Sequence, residues 1–214
     1  MASRQERSYT LEEYLAFERD SEVKHEYLDG RVYAMSGASP NHNRVTVNLT
    51  REVSAQLRGR GCEPFGSDMR VRIPETGLHT YPDLSVVCGE PRFERDVLDH
   101  LMNPTLLVEV LSKSTASYDR GEKFRHYRKI PSLREYVVVE QDRAHADHYA
   151  RAGAAGDRWL LTEVHGLDAT LALPAIGCAL AMRDVYERVE LRPDPPLRAV
   201  YEDVAFAGYA VQPG

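Results

Sequence analysis

The chain has 214 residues, of which 43% are hydrophobic and 28% are charged, and its formal net charge is -6. This length and composition are typical of one well-buried soluble domain, and no apolar run approaches the roughly 20 residues that span a bilayer. The acidic net charge argues weakly against an obligate nucleic-acid binder, because such proteins usually have a basic surface. The first seven residues are polar and lack the apolar stretch of a secretory signal, so we expect a cytoplasmic protein.

The first elements of the chain carry strong local signals. Thr10 and Glu13 form a capping box that begins a helix reaching about residue 20. Alternating segments on both sides of Asp29-Gly30 predict a β-hairpin closed by a type I′ turn. This hairpin places Glu26 on a strand.

The following elements predict the fold class. Apolar residues at every fourth position from 45 to 57 indicate a second helix. A later helix is predicted to begin at Asp119, which has Glu122 three residues on as in a capping box, and to end before Pro131. Strand candidates lie within residues 65–73, 81–88, 105–112, 134–140, 144–149 and 158–165, and the 90s are predicted to form a charged loop. This order predicts an α+β fold with a mixed central sheet flanked by helices.

Two acidic residues, Asp83 and Glu109, stand inside short runs of Val and Leu that are predicted to be buried strands. Side chains alternate along a strand, so Glu109 interrupts the apolar face that it shares with Leu107 and Leu111. An ionised carboxylate there is costly without a counter-charge or a metal, and a divalent cation is the simplest partner for two of them. If the two strands are neighbours, Asp83 and Glu109 can bind one Mg²⁺, or equally Mn²⁺.

A basic segment follows the second acid. Seven basic and two acidic residues lie between residues 112 and 134, and they could follow a phosphate backbone or form a solvated helix face. Lys113 and Lys123 are both candidates for a lysine that orients an attacking water or stabilises developing charge. For Lys123 the alternative is an i,i+4 ion pair with Asp119, which is worth only about 0.3 to 0.5 kcal/mol.

The cysteines and histidines indicate no further site. Cys62, Cys88 and Cys178 lie far apart and suggest neither a zinc-binding spacing nor a disulfide framework, so we expect core-filling thiols. His145 and His148 are three apart in a predicted strand and would point to opposite faces. Together with the lack of an HExxH motif, this argues against a zinc site.

The motifs around the two acids resemble those of a bacterial family of restriction endonuclease-like proteins in the PD-(D/E)XK nuclease superfamily. The resemblance covers about residues 10–190. The features that carry it are Pro82-Asp83, Glu109 in Val108-Glu109-Val110-Leu111-Ser112, Ser114-Thr115, Asp119, Lys123, Tyr127, the hairpin from Glu26 to Gly30, His42, and the strand Glu135-Tyr136-Val137-Val138-Val139.

The resemblance implies a restriction endonuclease-like fold in which Asp83, Glu109 and Glu26 bind Mg²⁺ or Mn²⁺. The superfamily pattern has a lysine two residues after the second acid, where this chain has Leu111. The resemblance implies that Lys123, from the next helix, takes the place of that catalytic lysine. His42 is expected to cap a helix or to support a ligand rather than to act as a catalytic base.

We therefore expect a metal-dependent endonuclease that hydrolyses DNA phosphodiester bonds. An alternative is a catalytically inactive nuclease-fold module for DNA binding or assembly, which the acidic charge and Leu111 both favour, and a hydrolase of small phosphates also stays open. We expect one nuclease-like domain over residues 1–191, a Pro-containing tail over 192–214, and no membrane association. A homodimer would suit the cutting of both DNA strands.

Overall fold

The computed structural model describes residues 8–35, 37–94, 99–112, 115–153, 156 and 158–193. Its helices are α1 (Leu11–Asp20), α2 (Pro40–Leu57), α3 (Ala116–Tyr118), α4 (Phe124–Tyr127) and α5 (Met182–Val185), with a π-helical turn at Asp119–Lys123 between α3 and α4. Its strands are β1 (His25–Leu28), β2 (Arg31–Ala34), β3 (Cys62–Gly66), β4 (Arg70–Ile73), β5 (Leu78–Thr80), β6 (Leu84–Cys88), β7 (Phe93–Glu94), β8 (His100–Leu101), β9 (Leu106–Leu111), β10 (Glu135–Glu140), β11 (His145–Ala152), β12 (Arg158–His165), β13 (Thr170–Leu173) and β14 (Cys178–Ala181). Across these ranges, no helix has both the length and the apolar character needed to cross a membrane. Of the predicted tail, residues 194–214 lie outside the described residues.

The strands form two six-stranded sheets and a two-stranded ribbon. The central sheet has the order β12-β11-β10-β9-β6-β3, with β9 and β10 parallel and the other neighbours antiparallel. The second sheet has the order β2-β1-β5-β4-β8-β7, and β13 pairs with β14. A mixed central sheet with helices and an N-terminal hairpin is the α+β arrangement that the sequence predicts.

Two apolar clusters cover the two faces of the central sheet. On one face, Val108 and Val110 of β9 belong to a cluster with the apolar stripe of α2. On the other face, Leu107 and Leu111 belong to a cluster with residues of α4 and of the second sheet. Glu109 lies between these two leucines and is buried. The alternation along β9 therefore directs its carboxylate into the layer between the central sheet, the second sheet and α4.

The N-terminal signals in the sequence form the predicted structures. Thr10 Oγ1 accepts a hydrogen bond from the Glu13 amide at 3.1 Å, and the Thr10 amide donates to the Glu13 carboxylate at 2.8 Å. Asp29 and Gly30 have φ values of 48° and 80°, as a type I′ turn requires. Glu26 lies on β1, so the predicted capping box and hairpin are both confirmed.

The predicted start of the helix at Asp119 is wrong. The helical segment begins at Ala116, and Asp119 is the first residue of the π-helical turn rather than the N-cap of a helix. Its side chain is buried and lies 3.6 Å from Lys123 Nζ. An acid followed by Glu122 at the third position also occurs inside helices, so the spacing alone could not locate the helix start.

Some strands are also shorter and more numerous than predicted. The candidate within residues 65–73 is two strands, β3 and β4, joined by a tight turn in which the Met69 amide donates to the Gly66 carbonyl. The 90s, which were predicted to form a charged loop, contain β7, and β8 begins directly after them at His100, while residues 95–98 lie outside the described residues. Strands of two residues are too short for an alternating pattern to reveal them.

Cys62 and Cys88 form a disulfide, contrary to the expectation of core-filling thiols. Cys62 begins β3 and Cys88 ends β6, and the antiparallel register places them directly opposite each other. This pairing depends on which strands are neighbours, and sequence spacing does not reveal that. Cys178 is a free and buried thiol, as predicted.

Candidate active site

Asp83 and Glu109 lie level with each other on neighbouring strands. In the antiparallel pair of β6 and β9, Leu84 is opposite Val108, so the position just before β6 lies level with Glu109. The amide of Val110 donates a hydrogen bond to Asp83 Oδ2 at 2.7 Å, which ties this carboxylate to β9. The negative charge of Asp83 is also one of the causes of the raised pKa of Glu109. A shared cation site at Asp83 and Glu109 requires that their strands be neighbours, and β6 and β9 are neighbours.

Lys123 reaches the acids from the π-helical turn. Its Nζ lies 2.9 Å from Glu26 Oε1, 3.0 Å from Glu109 Oε1 and 3.6 Å from Asp119 Oδ1. The i,i+4 pair with Asp119 exists, but it is the longest of the three contacts. The side chains of these four residues are only 4% to 11% exposed. π-Helical turns are rare and frequently occur at functional sites, and this one carries both Asp119 and Lys123.

Two hydroxyl groups hold the acids around Lys123. Tyr127 on α4 donates to Glu109 Oε1 at 2.6 Å, and Thr80 at the end of β5 donates to Glu26 Oε1. In each acid, the oxygen that accepts from the hydroxyl is also the one nearest Lys123 Nζ. Sequence reasoning gave no role to Thr80, because its approach to Glu26 depends on the pairing of β1 with β5.

The electrostatics of the site are dominated by burial and by an excess of acids. Burial raises the pKa of Glu109 well above its ordinary value and outweighs the opposing charge of Lys123. Burial by itself lowers the pKa of Lys123, but the charges of Glu109, Glu26 and Asp119 raise it well above its ordinary value. Burial also raises the pKa of Asp119. Lys123 is therefore protonated at neutral pH, and its single charge faces several carboxyl groups.

His42 contacts the same carboxylate oxygen of Asp83 as the Val110 amide. Ser39 caps α2 by accepting a hydrogen bond from the His42 amide at 3.1 Å, and this turn directs the imidazole toward the acid. His42 Nε2 lies 3.4 Å from Asp83 Oδ2. Burial lowers the pKa of His42, but the hydrogen bond and charge of Asp83 raise it above its ordinary value. His42 therefore lies beside Asp83, which is one of the predicted metal ligands.

The superfamily lysine position is part of the core in this chain. Leu111 is only 3% exposed and shares an apolar cluster with Leu107 and Tyr127. Of the two lysines named from the sequence, Lys123 contacts Glu26 and Glu109 directly, whereas Lys113 lies outside the described residues.

The donor set of the site suits a hard divalent cation. Among the described residues, Glu109 bonds its partners through Oε1 and Asp83 through Oδ2, which leaves Oε2 and Oδ1 for another ligand. Mg²⁺ and Mn²⁺ prefer such carboxylate oxygens, and Mg²⁺ needs only one or two of them beside water and phosphate.

The ligand atoms of Asp83, Glu109 and Glu26, however, do not all lie within 4.8 Å of one another. In the part of the chain that the structure describes, the three ligating side chains that lie within 4.8 Å of one another are elsewhere, on β11 and β12. Of the three predicted ligands, Glu26 is the one whose oxygen contacts both Thr80 and Lys123. Asp83 and Glu109 are therefore the pair that fits the cation best.

Comparison with known protein families identifies the group to which the chain belongs. The model of the Uma2 family, described as "Putative restriction endonuclease", matches residues 11–183. The chain belongs to the Uma2 family. The matched region contains all four predicted site residues, Asp83, Glu109, Glu26 and Lys123. The family resemblance that the motifs indicated is thereby confirmed.

Individual relatives support this family membership and the fold. Two uncharacterised proteins of Synechocystis sp. are each 41% identical to this Uma2 protein: sll1609 over 163 residues, covering 76% of this chain and 90% of its own length, and slr1290 over 175 residues, covering 82% and 90%. A crystal structure of a "putative nuclease belonging to DUF820" from Anabaena variabilis matches with a TM-score of 0.67 and 17% identity, covering 83% of this chain and 97% of that chain. The structural match confirms the restriction endonuclease-like fold.

Proposed function

We propose that this Uma2 protein is a Mg²⁺- or Mn²⁺-dependent endonuclease that hydrolyses phosphodiester bonds in DNA. The observation that carries the proposal is the excess of acids at one place: Glu109, Glu26 and Asp119 surround the ammonium group of Lys123, and Asp83 lies level with Glu109 on the neighbouring strand. Gathering carboxylates in a buried layer costs free energy unless cations compensate them. The description of the family points to the same class of reaction.

In this proposal Asp83 and Glu109 hold the cation, with Glu26 as the third acid of the site. Such a cation would supply Lewis-acid stabilisation of the phosphodiester charge and would make water a better nucleophile at neutral pH. The Val110 amide and His42 hold Asp83 in place through Oδ2. These contacts fix the acid before any ligand arrives, which reduces the reorganisation that binding requires.

Lys123 supplies the permanent positive charge of the site. Its raised pKa keeps it protonated at neutral pH, so it stabilises negative charge on the phosphate rather than accepting a proton from water. Glu26 and Asp119 hold the ammonium close to Glu109. Lys123 thus supplies the positive charge that Leu111 does not supply at the lysine position of the superfamily pattern. For this reason we favour an enzyme over an inactive nuclease-fold module.

The proposal is tested by titrating Mn²⁺ into the wild-type and Asp83→Ala proteins by calorimetry and by assaying both on plasmid DNA. The matched control is Asp68→Ala, since Asp68 is a 95% exposed acid that pairs with Lys24 at 2.7 Å. We expect the wild type and the control to bind Mn²⁺ and nick the plasmid, and Asp83→Ala to do neither.

Other outcomes select the rival functions. Equal Mn²⁺ binding by the wild type and Asp83→Ala would overturn the site. DNA association that is insensitive to metal, with no cleavage of any substrate, would favour the inactive binding or assembly module. Cleavage of a nucleotide phosphodiester but not of duplex DNA would favour a hydrolase of small phosphates.

A further inference from the structure

A second cluster of metal-ligating side chains lies on the β11–β12 hairpin. The antiparallel register places His145 opposite His165 and Asp147 opposite Glu163. Because residues two apart on a strand share a face, all four side chains lie on the same face of the hairpin. His148, which the sequence analysis compared with His145, is on the other face and contacts Glu135 at 3.1 Å.

The ligand atoms of three of these side chains are already close together. One ring nitrogen each from His145 and His165 and one carboxylate oxygen from Glu163 all lie within 4.8 Å of one another. The two imidazole rings are stacked, with centroids 4.3 Å apart and planes inclined by 14°. Zn²⁺ binds at roughly 2.0 to 2.2 Å from each ligand atom, and the exposed side chains of His165 and Glu163 can rotate to place their ligand atoms at that distance from an ion.

The surroundings of His145 suit a metal ligand. Its Nε2 lies 3.0 Å from Asp147 Oδ1, and its Nδ1 lies 3.4 Å from Glu140 Oε1. Whichever nitrogen binds a metal, the other lies within 3.4 Å of a carboxylate oxygen, and a nearby carboxylate orients many metal-bound histidines in proteins. With Glu163, three acids surround the two rings, and Arg120 pairs with Asp147 and Glu140.

We propose that His145, His165 and Glu163 form a binding site for a borderline divalent transition metal such as Zn²⁺. Two imidazoles and one carboxylate favour Zn²⁺, Cu²⁺ or Ni²⁺ over Mg²⁺, which prefers oxygen ligands alone. The side chains of His165 and Glu163 are 63% and 58% exposed, so water can complete the coordination. The site lies across β11 and the edge strand β12. It differs from the site at Asp83 because it offers imidazole nitrogens, whereas that site offers only carboxylate oxygens.

The site is tested by calorimetric titration of Zn²⁺ into the full chain in excess Mg²⁺, which occupies the oxygen site. The wild type should bind one Zn²⁺, and His165→Ala should weaken binding by at least about tenfold. The matched control is Leu161→Ala, because Leu161 is exposed on the same strand and face. Asp83→Ala should keep Zn²⁺ binding, so failure of this site and failure of the proposed nuclease site give different results.

A spectroscopic measurement identifies the ligands directly. Cu²⁺ bound to the wild type should show electron paramagnetic resonance splitting from two imidazole nitrogens, and His165→Ala should show one. A lack of Zn²⁺ binding by the wild type would overturn the proposal. Binding that His165→Ala and Glu163→Gln leave unchanged would overturn it equally.

Discussion

Replacing Lys123 by methionine removes the positive charge at the centre of the candidate active site. Methionine fills a similar volume, so the main change is electrostatic. Three carboxyl groups, Glu26, Glu109 and Asp119, then face one another with little access to water. Removing one partner of a buried ion pair typically costs about 3 to 5 kcal/mol of unfolding free energy. We expect a loss of that size for Lys123→Met at neutral pH.

The loss should depend on pH in a defined direction. Burial already raises the pKa of Glu109 in the wild type, and removing Lys123 raises it further. A carboxyl whose pKa is higher in the folded than in the unfolded state contributes stability below its unfolded pKa and loses that contribution as pH rises through the folded pKa. The deficit of Lys123→Met should therefore be small near the pKa of an unfolded glutamate, about 4.3, and should grow as the pH rises above it.

The assay is urea unfolding followed by circular dichroism at several pH values. The matched control is Lys129→Met, because Lys129 pairs with Glu75 at 2.8 Å but both side chains are about half exposed. Exposed pairs of this kind contribute about 0 to 1 kcal/mol. A loss in Lys123→Met no larger than that in the control, or a loss that does not change with pH, would refute the reasoning.

Three further substitutions probe other parts of the structure. Glu109→Gln should raise the unfolding free energy by roughly 1 kcal/mol, because it removes one acid of an excess while Glu26 and Asp119 still pair with Lys123. It should also abolish Mn²⁺-dependent plasmid cleavage, and urea unfolding and the plasmid assay on one preparation check the two effects. Replacing both Cys62 and Cys88 by serine should lower the unfolding free energy by about 3 to 4 kcal/mol, since the disulfide closes a loop with a sequence separation of 26, and an unchanged denaturation midpoint would contradict this. Thr10→Ala should cost about 1 kcal/mol through loss of the α1 capping box, measured by thermal unfolding against Thr162→Ala on β12.

Local signals in the sequence predicted the elements that depend on neighbouring residues. The capping box at Thr10 and the turn at Asp29-Gly30 need only side chains and backbone angles a few residues apart. Likewise, the acids were conspicuous whatever the fold, because Glu109 interrupts a run of Val and Leu and Asp83 directly precedes one. The level placement of these acids then followed from the pairing of β6 with β9.

Features that depend on distant contacts could not be predicted from the sequence. The disulfide between Cys62 and Cys88 requires β3 to pair with β6. The spacing of Asp119 and Glu122 also fits an ordinary helix start, so it does not reveal the π-helical turn. The last residue of that turn, Lys123, contacts Glu26 and Glu109, which are distant in sequence. Strand pairing and side-chain contact over long sequence separations carry no signature in a single sequence.

We propose that Asp83 and Glu109 bind the catalytic cation. The most direct measurement is a crystal structure of the wild-type protein soaked in Mn²⁺, with anomalous scattering recorded to locate the ion. We expect an anomalous peak that contacts both carboxylates, with Lys123 nearby. The proposed site would be contradicted if Asp83 and Glu109 were well ordered with no anomalous peak beside them, in a crystal that binds Mn²⁺ elsewhere.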